Sequence, residues 1–301
     1  MKKILLTGKL GQVGWELQRT LLPLGQVIAL DHHDLDLTQP DTIRSTVRAL
    51  RPDIIVNAAA YTAVDNAETE RDLAMAINSV APGILAEEAH DLGTLLVHYS
   101  TEYVFDGRKQ GAYVEDDAPN PLNIYGHSKL AGEQAVRASG CNHLILRTSW
   151  VYGARGRNFL LTMLRLAKER PELRVVSDQI GAPTWCRSLA EVTALVLAQL
   201  YAPETGGDGV ACASGTYHVT SSGSVSWHGF ASEILRLAAV QPMPATVAIT
   251  SADYPTPAQR PVNSVLSCDK LFNTFGVTAG NWHDNLRLCL QEMRQPASET
   301  Y

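Results

Sequence analysis

Tyr125 and Lys129, four residues apart, are the side chains in this sequence best suited to proton transfer. The pattern of residues 123–139 is helical, and positions i and i+4 share one helix face. A free tyrosine has a pKa of about 10 and is a poor acid near neutrality. An ammonium about 4 Å away contributes roughly 4 kcal/mol, enough to lower that pKa to near 7. The spacing therefore predicts a tyrosine activated by lysine, although a solvated helical pair is the common alternative.

A glycine-rich turn lies near the start of the chain, where Gly8, Gly11 and Gly14 separate the apolar run 4–7 from a helical pattern at 12–22. Such glycines allow a tight turn, close approach of the backbone to phosphate, and close packing of helix on strand. A dinucleotide pyrophosphate would lie at the helix N-terminus, which carries roughly half a positive charge. With a strand before the turn and a helix after it, we predict a dinucleotide-binding loop rather than a plain strand–helix turn.

Asp31 ends the second predicted strand, 26–31, where an acidic residue binds the ribose hydroxyls of NAD and repels the 2′-phosphate of NADP. Residues 32–34 contain two histidines but no Lys or Arg, so NADH is favoured, although a protonated histidine could tolerate NADPH. The alternative is that Asp31 merely ends a strand. After the third strand, alanines 58–60 leave room for a cofactor against the backbone, or alternatively pack tightly against a helix.

Thr101 lies at the carboxyl end of the fourth predicted strand, 94–100. A hydroxyl there points into the crevice where a cofactor would lie, and could bind a substrate oxygen. Reduction of a ketone needs a hydride at carbon and a proton at oxygen. We therefore predict Thr101, Tyr125 and Lys129 as the catalytic residues of a nicotinamide-dependent oxidoreductase. Lys129 would also bind the nicotinamide ribose, and the positive ring of the oxidised cofactor would act together with Lys129 to lower the pKa of Tyr125.

Apolar strands alternate with helical patterns through the first 150 residues. This alternation is typical of a parallel sheet covered by helices on both faces. We predict an α/β fold, a doubly wound parallel Rossmann sheet with a smaller C-terminal substrate domain. Residues 1–150 would form the dinucleotide-binding domain, to which part of 186–220 returns, and 151–185 with 221–301 would form the smaller domain. The other predicted elements are helices at 40–50, 72–91, 158–170, 188–201 and 282–294, a surface loop at 203–215 and a strand at 215–220.

Composition excludes several functional classes. The chain has 301 residues, a net charge of −6 and a pI near 5.8, which argue against a nucleic-acid-binding surface. Apolar runs are shorter than the ~18 residues of a membrane span, and the N-terminal run is too short for a signal peptide. Five scattered cysteines predict neither a disulfide framework nor a zinc site. We expect a cytoplasmic protein, either a monomer or a homodimer.

The glycine spacing, the Tyr-x-x-x-Lys pair and the upstream Ser-Thr resemble the landmarks of extended short-chain dehydrogenases/reductases. Within that family the chain is most similar to the dTDP-4-dehydrorhamnose reductases, and the most specific similar segments are 147–152, 178–184 and 254–261. The resemblance implies NADH- or NADPH-dependent reduction of the C4 ketone of a dTDP-sugar, dTDP-4-dehydro-L-rhamnose. Tyr125 would protonate the new hydroxyl, assisted by Lys129 and Thr101.

The resemblance also implies binding residues. Trp150 would lie against the sugar, unless it is simply a core aromatic, and Arg260 could grip the diphosphate, unless it forms a surface ion pair. Glu102 stands where the family usually has aspartate, and the longer acid could shift a contact to the sugar. The implied substrate-binding residues are Thr101, Glu102, Trp150, Arg260 and Asn263. The predicted cofactor-binding residues are Gly8, Gly11, Gln12, Val13, Gly14, Asp31, Asp36, Leu37, Ala59, Ala60, Tyr61, Thr62, Tyr125 and Lys129.

Some members of the family form a dimer around magnesium held by glutamates. Glu16 and Glu292 match two of those positions, but Arg187 stands where the third is expected. A cation at that position removes an oxygen ligand and repels the metal. We therefore expect that Mg²⁺ does not bridge a dimer here, and ordinary surface charge is the alternative role of both glutamates.

Two other functions remain open. Nucleotide-sugar epimerases and dehydratases share the Tyr-x-x-x-Lys pair, although segment 254–261 favours a reductase. A non-catalytic subunit that regulates methionine adenosyltransferase would bind the dinucleotide without turnover, and the intact Thr101, Tyr125 and Lys129 argue against it.

Overall fold

The computed structural model describes residues 1–202 and 209–294, so 203–208 of the predicted loop and 295–301 of the predicted smaller domain lie outside it. Strands and helices alternate along the chain. The strands are β1 (Lys2–Thr7), β2 (Gly25–Leu30), β3 (Ile54–Asn57), β4 (Leu95–Thr101), β5 (His143–Thr148), β6 (Val151–Tyr152), β7 (Glu172–Val176), β8 (Ile180–Gly181), β9 (Thr184–Trp185), β10 (Gly215–His218), β11 (Val225–Ser226) and β12 (Ala245–Ile249). The α-helices are α1 (Gln12–Thr20), α2 (Pro40–Leu50), α3 (Arg71–Met75), α4 (Ala81–Leu92), α5 (Ile124–Ala138), α6 (Phe159–Glu169), α7 (Cys186–Leu200), α8 (Gly209–Cys212), α9 (Trp227–Ala238), α10 (Asp269–Phe275) and α11 (Trp282–Arg294).

Six parallel strands form the central sheet, in the order β10-β5-β4-β3-β1-β2. From β1 the chain moves outward to β2 and then returns to β3 on the other side of β1. The sheet is therefore doubly wound, and a ligand crevice is expected beyond the carboxyl ends of β1 and β3. The predicted α/β fold with a doubly wound parallel sheet is confirmed.

Alternate side chains of the strands face opposite layers of helices. Leu6 of β1 belongs to one buried cluster, together with side chains of α1, α7 and α10. Leu5, its neighbour, belongs to a second buried cluster with side chains of α2 and α4. A third cluster, centred on Phe230, joins α6, α9 and α11 outside the main sheet. Continuous apolar strands are required because both faces of the sheet are covered.

Several elements differ from the prediction. The helix expected at 72–91 is interrupted by a π-helical turn, Ala76–Val80, which ends two residues before Pro82. Proline has no N–H to continue an α-helical bond pattern, which explains the wider turn there. In the predicted loop 203–215, the described part includes the short helix α8. Helices α9 and α10 were not predicted; the N-cap of α9, Ser226, accepts from Gly229 N and precedes an apolar helical pattern that would have indicated it.

A buried ion pair holds α5 against the sheet. Arg147 of β5 donates from Nε and Nη2 to the carboxylate oxygens of Glu133 at 2.8 and 2.7 Å, and Ser100 of β4 donates at 2.6 Å. Both charged side chains are buried. Burial opposes ionisation of Glu133, but the hydrogen bonds and charge of Arg147 outweigh it and hold the pKa of this carboxyl below its usual value.

We expect Glu133→Gln to lower the free energy of unfolding by about 3–5 kcal/mol, because Arg147 would stay buried without its counter-charge. Urea unfolding at neutral pH measures the loss. The pKa of Glu133 is lowered in the folded state. The difference in unfolding free energy between wild type and Glu133→Gln should therefore be complete above the ordinary glutamate pKa of about 4.3, and should shrink as pH falls through the pKa of Glu133 in the folded protein.

Glu169→Gln is the matched control for that experiment. Glu169 forms an exposed i,i+4 pair with Arg165 at 2.8 Å. Its replacement should cost less than about 1 kcal/mol. Equal losses in the two variants would contradict the importance of the buried pair.

Candidate active site

A cavity of about 670 Å³ lies beyond the carboxyl ends of the first five strands. The residue that ends or follows each strand lines it: Thr7, Asp31, Ala58, Thr101 and Thr148. Most predicted site residues meet in this cavity, as expected for a topological switch point. Those that line it are Gly8, Gly11, Gln12, Val13, Asp31, Asp36, Leu37, Ala59, Ala60, Thr62, Thr101, Glu102, Tyr125, Lys129 and Trp150.

Two glycines of the glycine loop, Gly8 and Gly14, lie too close to neighbouring backbone to be replaced by a residue with a side chain. Gly8 has φ +74°, and a Cβ there would lie 2.7 Å from Ala59 N. A Cβ on Gly14, which does not line the cavity, would lie 2.0 Å from Gly8 O. Gly11 N donates to Gly8 O at 2.9 Å, which closes the turn before α1. The loop therefore presents bare backbone at a helix N-terminus, an arrangement that fits a pyrophosphate.

Lys9 lies beside Asp31, a contact that the sequence analysis missed. Its ammonium is 3.3 Å from Asp31 Oδ2 and 2.5 Å from Asp34 Oδ2. Backbone N–H groups of His33 and Asp34 also donate to Asp31. The hydrogen bond from His33 N is the main cause of the lowered pKa of Asp31. A cation is therefore present where the sequence after Asp31 indicated none, which weakens the prediction that NADPH is repelled.

Tyr125, Thr101 and Glu102 form a connected group in the cavity wall. Thr101 Oγ1 donates to Glu102 Oε2 at 2.7 Å, and the Thr101 side chain also interacts with the Tyr125 phenol. Burial raises the pKa of Tyr125 above its usual value, the charge of Glu102 adds to the increase, and Thr101 opposes it. Lys129 is not among the causes of this shift. Lys129 alone therefore does not lower the pKa of Tyr125 in this arrangement. The expected lowering by Lys129 together with an oxidised nicotinamide ring stays a prediction.

Lys129 points into the sheet instead. Its Nζ donates to Tyr99 O at 2.6 Å and lies 3.4 Å from His98 Nε2, and the residue is only 2% exposed. Burial lowers the pKa of Lys129 to about 8, while Glu133 partly opposes the decrease. Because they share a helix face, Tyr125 and Lys129 reach the same cavity. The i,i+4 spacing did not predict which acceptor the Lys129 ammonium would contact.

Trp150 forms an aromatic stack at the other side of the cavity. Its ring lies on that of Trp227, with centroids 3.5 Å apart and planes 9° from parallel. Trp150 adopts φ +47°, a conformation that is rare for a large side chain and common at functional sites. A Cβ on Gly181 would approach the Trp150 ring to 2.5 Å, so glycine is needed there. Trp227 also lines the cavity and was not predicted.

Arg260 lies outside the cavity wall. Its Nη2 pairs with Asp65 Oδ2 at 2.8 Å, and its Nη1 donates to Ala258 O at 3.2 Å. It also interacts with Tyr103, which does line the cavity. The structure thus shows Arg260 in an ion pair, the alternative to a diphosphate contact. The positive charge of Arg260 lies at the rim of the cavity.

Asn263 and Tyr61 also lie outside the cavity wall. Asn263 Nδ2 donates to the carbonyl oxygens of Lys109 and Gly111 at 2.9 and 2.6 Å. These hydrogen bonds connect the segment around Asn263 to the segment 109–111. The Tyr61 hydroxyl donates to Glu70 Oε2 at 2.8 Å. These contacts give both side chains structural partners, and the structure does not bring them to the predicted site.

Comparisons with known proteins agree over nearly the whole chain. Residues 1–295 match a family model described as the RmlD substrate binding domain. A dTDP-4-dehydrorhamnose reductase of Burkholderia thailandensis is 48% identical over 297 residues, covering 97% of this chain and 99% of the relative. The chain belongs to the dTDP-4-dehydrorhamnose reductase family. The Escherichia coli (strain K12) member is 44% identical over 299 residues, covering 96% of this chain and 97% of the relative.

Solved structures of the family superpose closely. A dTDP-4-dehydrorhamnose reductase from Clostridium acetobutylicum has a TM-score of 0.89 and 38% identity, covering 97% of this chain and 100% of that one. The reductase from Bacillus anthracis, in complex with NADP, has a TM-score of 0.88 and 36% identity, covering 97% and 99%. The predicted resemblance is confirmed. A Thermus thermophilus UDP-glucose 4-epimerase, with 20% identity and a TM-score of 0.81, shares the fold.

Arg187 occupies the space between the two glutamates that matched the family's magnesium positions. Its Nε donates to Glu16 Oε2 at 3.1 Å and its Nη2 to Glu292 Oε1 at 2.6 Å. Glu16 is only 8% exposed, so it is not ordinary surface charge. Within residues 1–202 and 209–294, no group of three or more His, Cys, Asp or Glu side chains converges as a metal site would require.

We expect Gly14→Ala to destabilise the fold by at least about 1–3 kcal/mol, because the new methyl group would overlap Gly8 O and push α1 away from the loop. Chemical unfolding measures this. Gly83→Ala is the control, since it is also a helical glycine but its Cβ would meet only a side-chain methyl, at 3.1 Å. A loss no larger than in the control would contradict the close approach.

Proposed function

We propose that the protein reduces the C4 ketone of dTDP-4-dehydro-L-rhamnose to give dTDP-L-rhamnose, with NADH or NADPH as reductant. One observation supports this proposal most strongly. The chain is 48% identical to a dTDP-4-dehydrorhamnose reductase over 97% of its length, and it has Thr101, Tyr125 and Lys129 in the wall of one cavity. That cavity is large enough for a ligand of this class, whose sites typically occupy 300–1,000 Å³.

The glycine loop and Asp31 fit a dinucleotide. The bare backbone around Gly8 and Gly11 would hold the pyrophosphate, and Asp31 with Lys9 would meet the adenosine ribose. Gln12, Val13, Asp36, Leu37, Ala59, Ala60 and Thr62 complete the wall on this side. When bound, the cofactor supplies the hydride. The side chains of the protein supply the proton and orient the sugar.

Tyr125 is the proposed proton donor. Because burial raises its pKa, the phenol keeps its proton at neutral pH, as the acid of a reduction requires. Thr101 lines the same cavity and would bind the substrate oxygen beside the phenol. Lys129, anchored on Tyr99 O, would bring positive charge to the nicotinamide side of the cavity. Trp150, stacked on Trp227, would provide a flat wall for the sugar.

The epimerase, dehydratase and regulatory-subunit alternatives lack a specific supporting observation. Measurement of NADH or NADPH oxidised per sugar reduced separates them from the reductase: a reductase consumes one cofactor for each sugar, whereas the alternatives consume none. The cytoplasmic location and the choice between monomer and homodimer stay predictions. Within the described residues, no helix is both long and apolar enough to cross a bilayer.

We expect Tyr125→Phe to reduce turnover at least about 100-fold, since it removes the proton donor. Binding of NADPH, followed by fluorescence, should be unchanged. Tyr201→Phe, at the end of α7 and away from this cavity, is the control and should retain turnover to within about twofold. Wild-type turnover in Tyr125→Phe would rule out the role.

We also expect Lys9→Ala to reduce kcat/KM for NADPH roughly fivefold or more, with a smaller effect for NADH. The substitution leaves the carboxylates of Asp31 and Asp34 without their cation, so a 2′-phosphate meets only negative charge. Lys2→Ala, at the opposite end of β1, is the control. Equal decreases with both cofactors would show that Lys9 does not contribute to the choice between them.

A further inference from the structure

Few cations in the cavity wall can meet the negative charge of a diphosphate, a group that both the cofactor and the sugar nucleotide of the proposed reaction contain. Of the described residues that line the cavity, the lysines and arginines are Lys129 and Arg157. Asp31 and Asp36 line the same cavity, and hydrogen bonds from backbone N–H groups lower the pKa of both carboxyls, so they stay ionised and add negative charge. A bound diphosphate therefore depends on a small set of cations.

Most of the cations near the cavity are already held by other groups. Lys129 is buried and donates to a backbone carbonyl at 2.6 Å. Arg260, outside the cavity wall, pairs with Asp65 at 2.8 Å. Lys9, which is also outside the wall, pairs with Asp34 at 2.5 Å. These partners compete with any phosphate for the three positive charges.

Arg157 is different because its guanidinium is exposed and also lines the cavity. Within residues 1–202 and 209–294, no hydrogen bond or ion pair occupies this guanidinium. An arginine presents five N–H donors in a planar fork that matches the oxygens of a phosphate. Arg157 therefore offers the cavity a full positive charge and a set of free donors.

The loop that carries Arg157, residues 153–158, is fastened to the first residue of α1. Asn158, the N-cap of α6, donates from Nδ2 to Gln12 Oε1 and to Gly153 O, each at 2.9 Å. A Cβ on Gly156 would approach Gln12 Cγ to 3.2 Å. Since Gln12 directly follows the glycine loop, these contacts hold the backbone on both sides of Arg157 beside the helix N-terminus that fits a pyrophosphate.

We propose that Arg157 binds the pyrophosphate of the nicotinamide cofactor and completes, with the bare backbone of the glycine loop, the site for this group. The inference rests on the proposed function only in its use of a nicotinamide dinucleotide. It deepens that function by assigning a cofactor-binding residue that the sequence analysis missed. The contacts with Gln12 favour the cofactor over the diphosphate of the sugar nucleotide, because Gln12 begins the helix whose N-terminus faces the glycine loop.

Electrostatics gives the physical reason for such a residue. A helix N-terminus contributes roughly half a positive charge, which is less than the negative charge of a pyrophosphate. The guanidinium of Arg157 adds a full charge and donates to phosphate oxygens in a charge-assisted way. Because Arg157 is exposed, salt in solution screens this attraction.

Calorimetric titration of the whole protein with ADP-ribose tests the assignment, because this ligand contains the pyrophosphate but no nicotinamide. We expect Arg157→Ala to bind ADP-ribose roughly five- to tenfold more weakly at low ionic strength. NADH and NADPH should lose affinity by the same factor, since the pyrophosphate is common to both. The difference between wild type and variant should shrink as salt is added.

Arg155→Ala is the matched control. It removes the same charge from the same loop, but the Arg155 guanidinium lies over the Trp15 ring, 4.3 Å from its centroid, and does not line the cavity. Its affinity for ADP-ribose should stay within about twofold of wild type. Arg157→Lys should be intermediate, because it keeps the charge and loses the planar fork. Arg157→Ala should unfold at the wild-type temperature, since the native side chain has no partner to lose.

Three results would overturn the proposal. The first is an unchanged affinity of Arg157→Ala for ADP-ribose. The second is a loss with NADPH but not with NADH, which would place Arg157 at the 2′-phosphate. The third is a loss confined to dTDP, which would place Arg157 at the sugar nucleotide.

The binding titrations are independent of turnover, so the two proposals can fail separately. A wild-type protein that binds NADPH but reduces no 4-keto sugar nucleotide would reject the proposed function and leave Arg157 as a pyrophosphate-binding residue. A reductase whose Arg157→Ala variant binds ADP-ribose like wild type would reject the role of Arg157 alone.

Discussion

The buried pair between Glu133 and Arg147 determines where α5 lies on the sheet, and α5 carries both Tyr125 and Lys129. An ion pair without solvent tolerates little displacement, because a partly separated pair would leave two desolvated charges. Close contacts enforce the same position: a Cβ on Gly126 would approach Tyr103 O to 2.3 Å. Most buried residues of α5 are accordingly small or polar, and Tyr125 lines the cavity from the first turn of this helix.

Burial acts in opposite directions on the two kinds of titratable group at the site. It lowers the pKa of Lys129 to about 8 and raises that of Glu102 to about 7, so both are brought toward neutrality from opposite sides. Tyr125, which is partly buried, is moved further from neutrality and remains an acid. Thr101, which donates to Glu102 Oε2, lies in the same cavity wall as Tyr125. Desolvation is the largest cause of all three pKa shifts.

The sequence was most informative where structure is local. The strand, glycine turn and helix at 4–22 and the alternation up to β5 predicted the sheet and the cavity that the structure shows. What it could not predict depends on contacts between distant residues. Lys9 meets Asp34 25 residues later, and Arg260 meets Asp65 across 195 positions. The direction of the Lys129 ammonium was equally inaccessible, since helix spacing gives a shared face but says nothing about the Tyr99 carbonyl below it.

Arg187 shows how one residue can change the electrostatics of a helix junction. Glu16 of α1 and Glu292 of α11 would repel each other across this junction, and a glutamate at 187 on α7 would require a cation from solution. Arginine instead carries its positive charge on the chain and satisfies both carboxylates, at 3.1 and 2.6 Å. Because α1 follows the glycine loop, the same contacts connect the C-terminal helix to the element that would hold the cofactor. Two ion pairs within the chain thus hold α1 at this junction, and their strength responds to ionic strength.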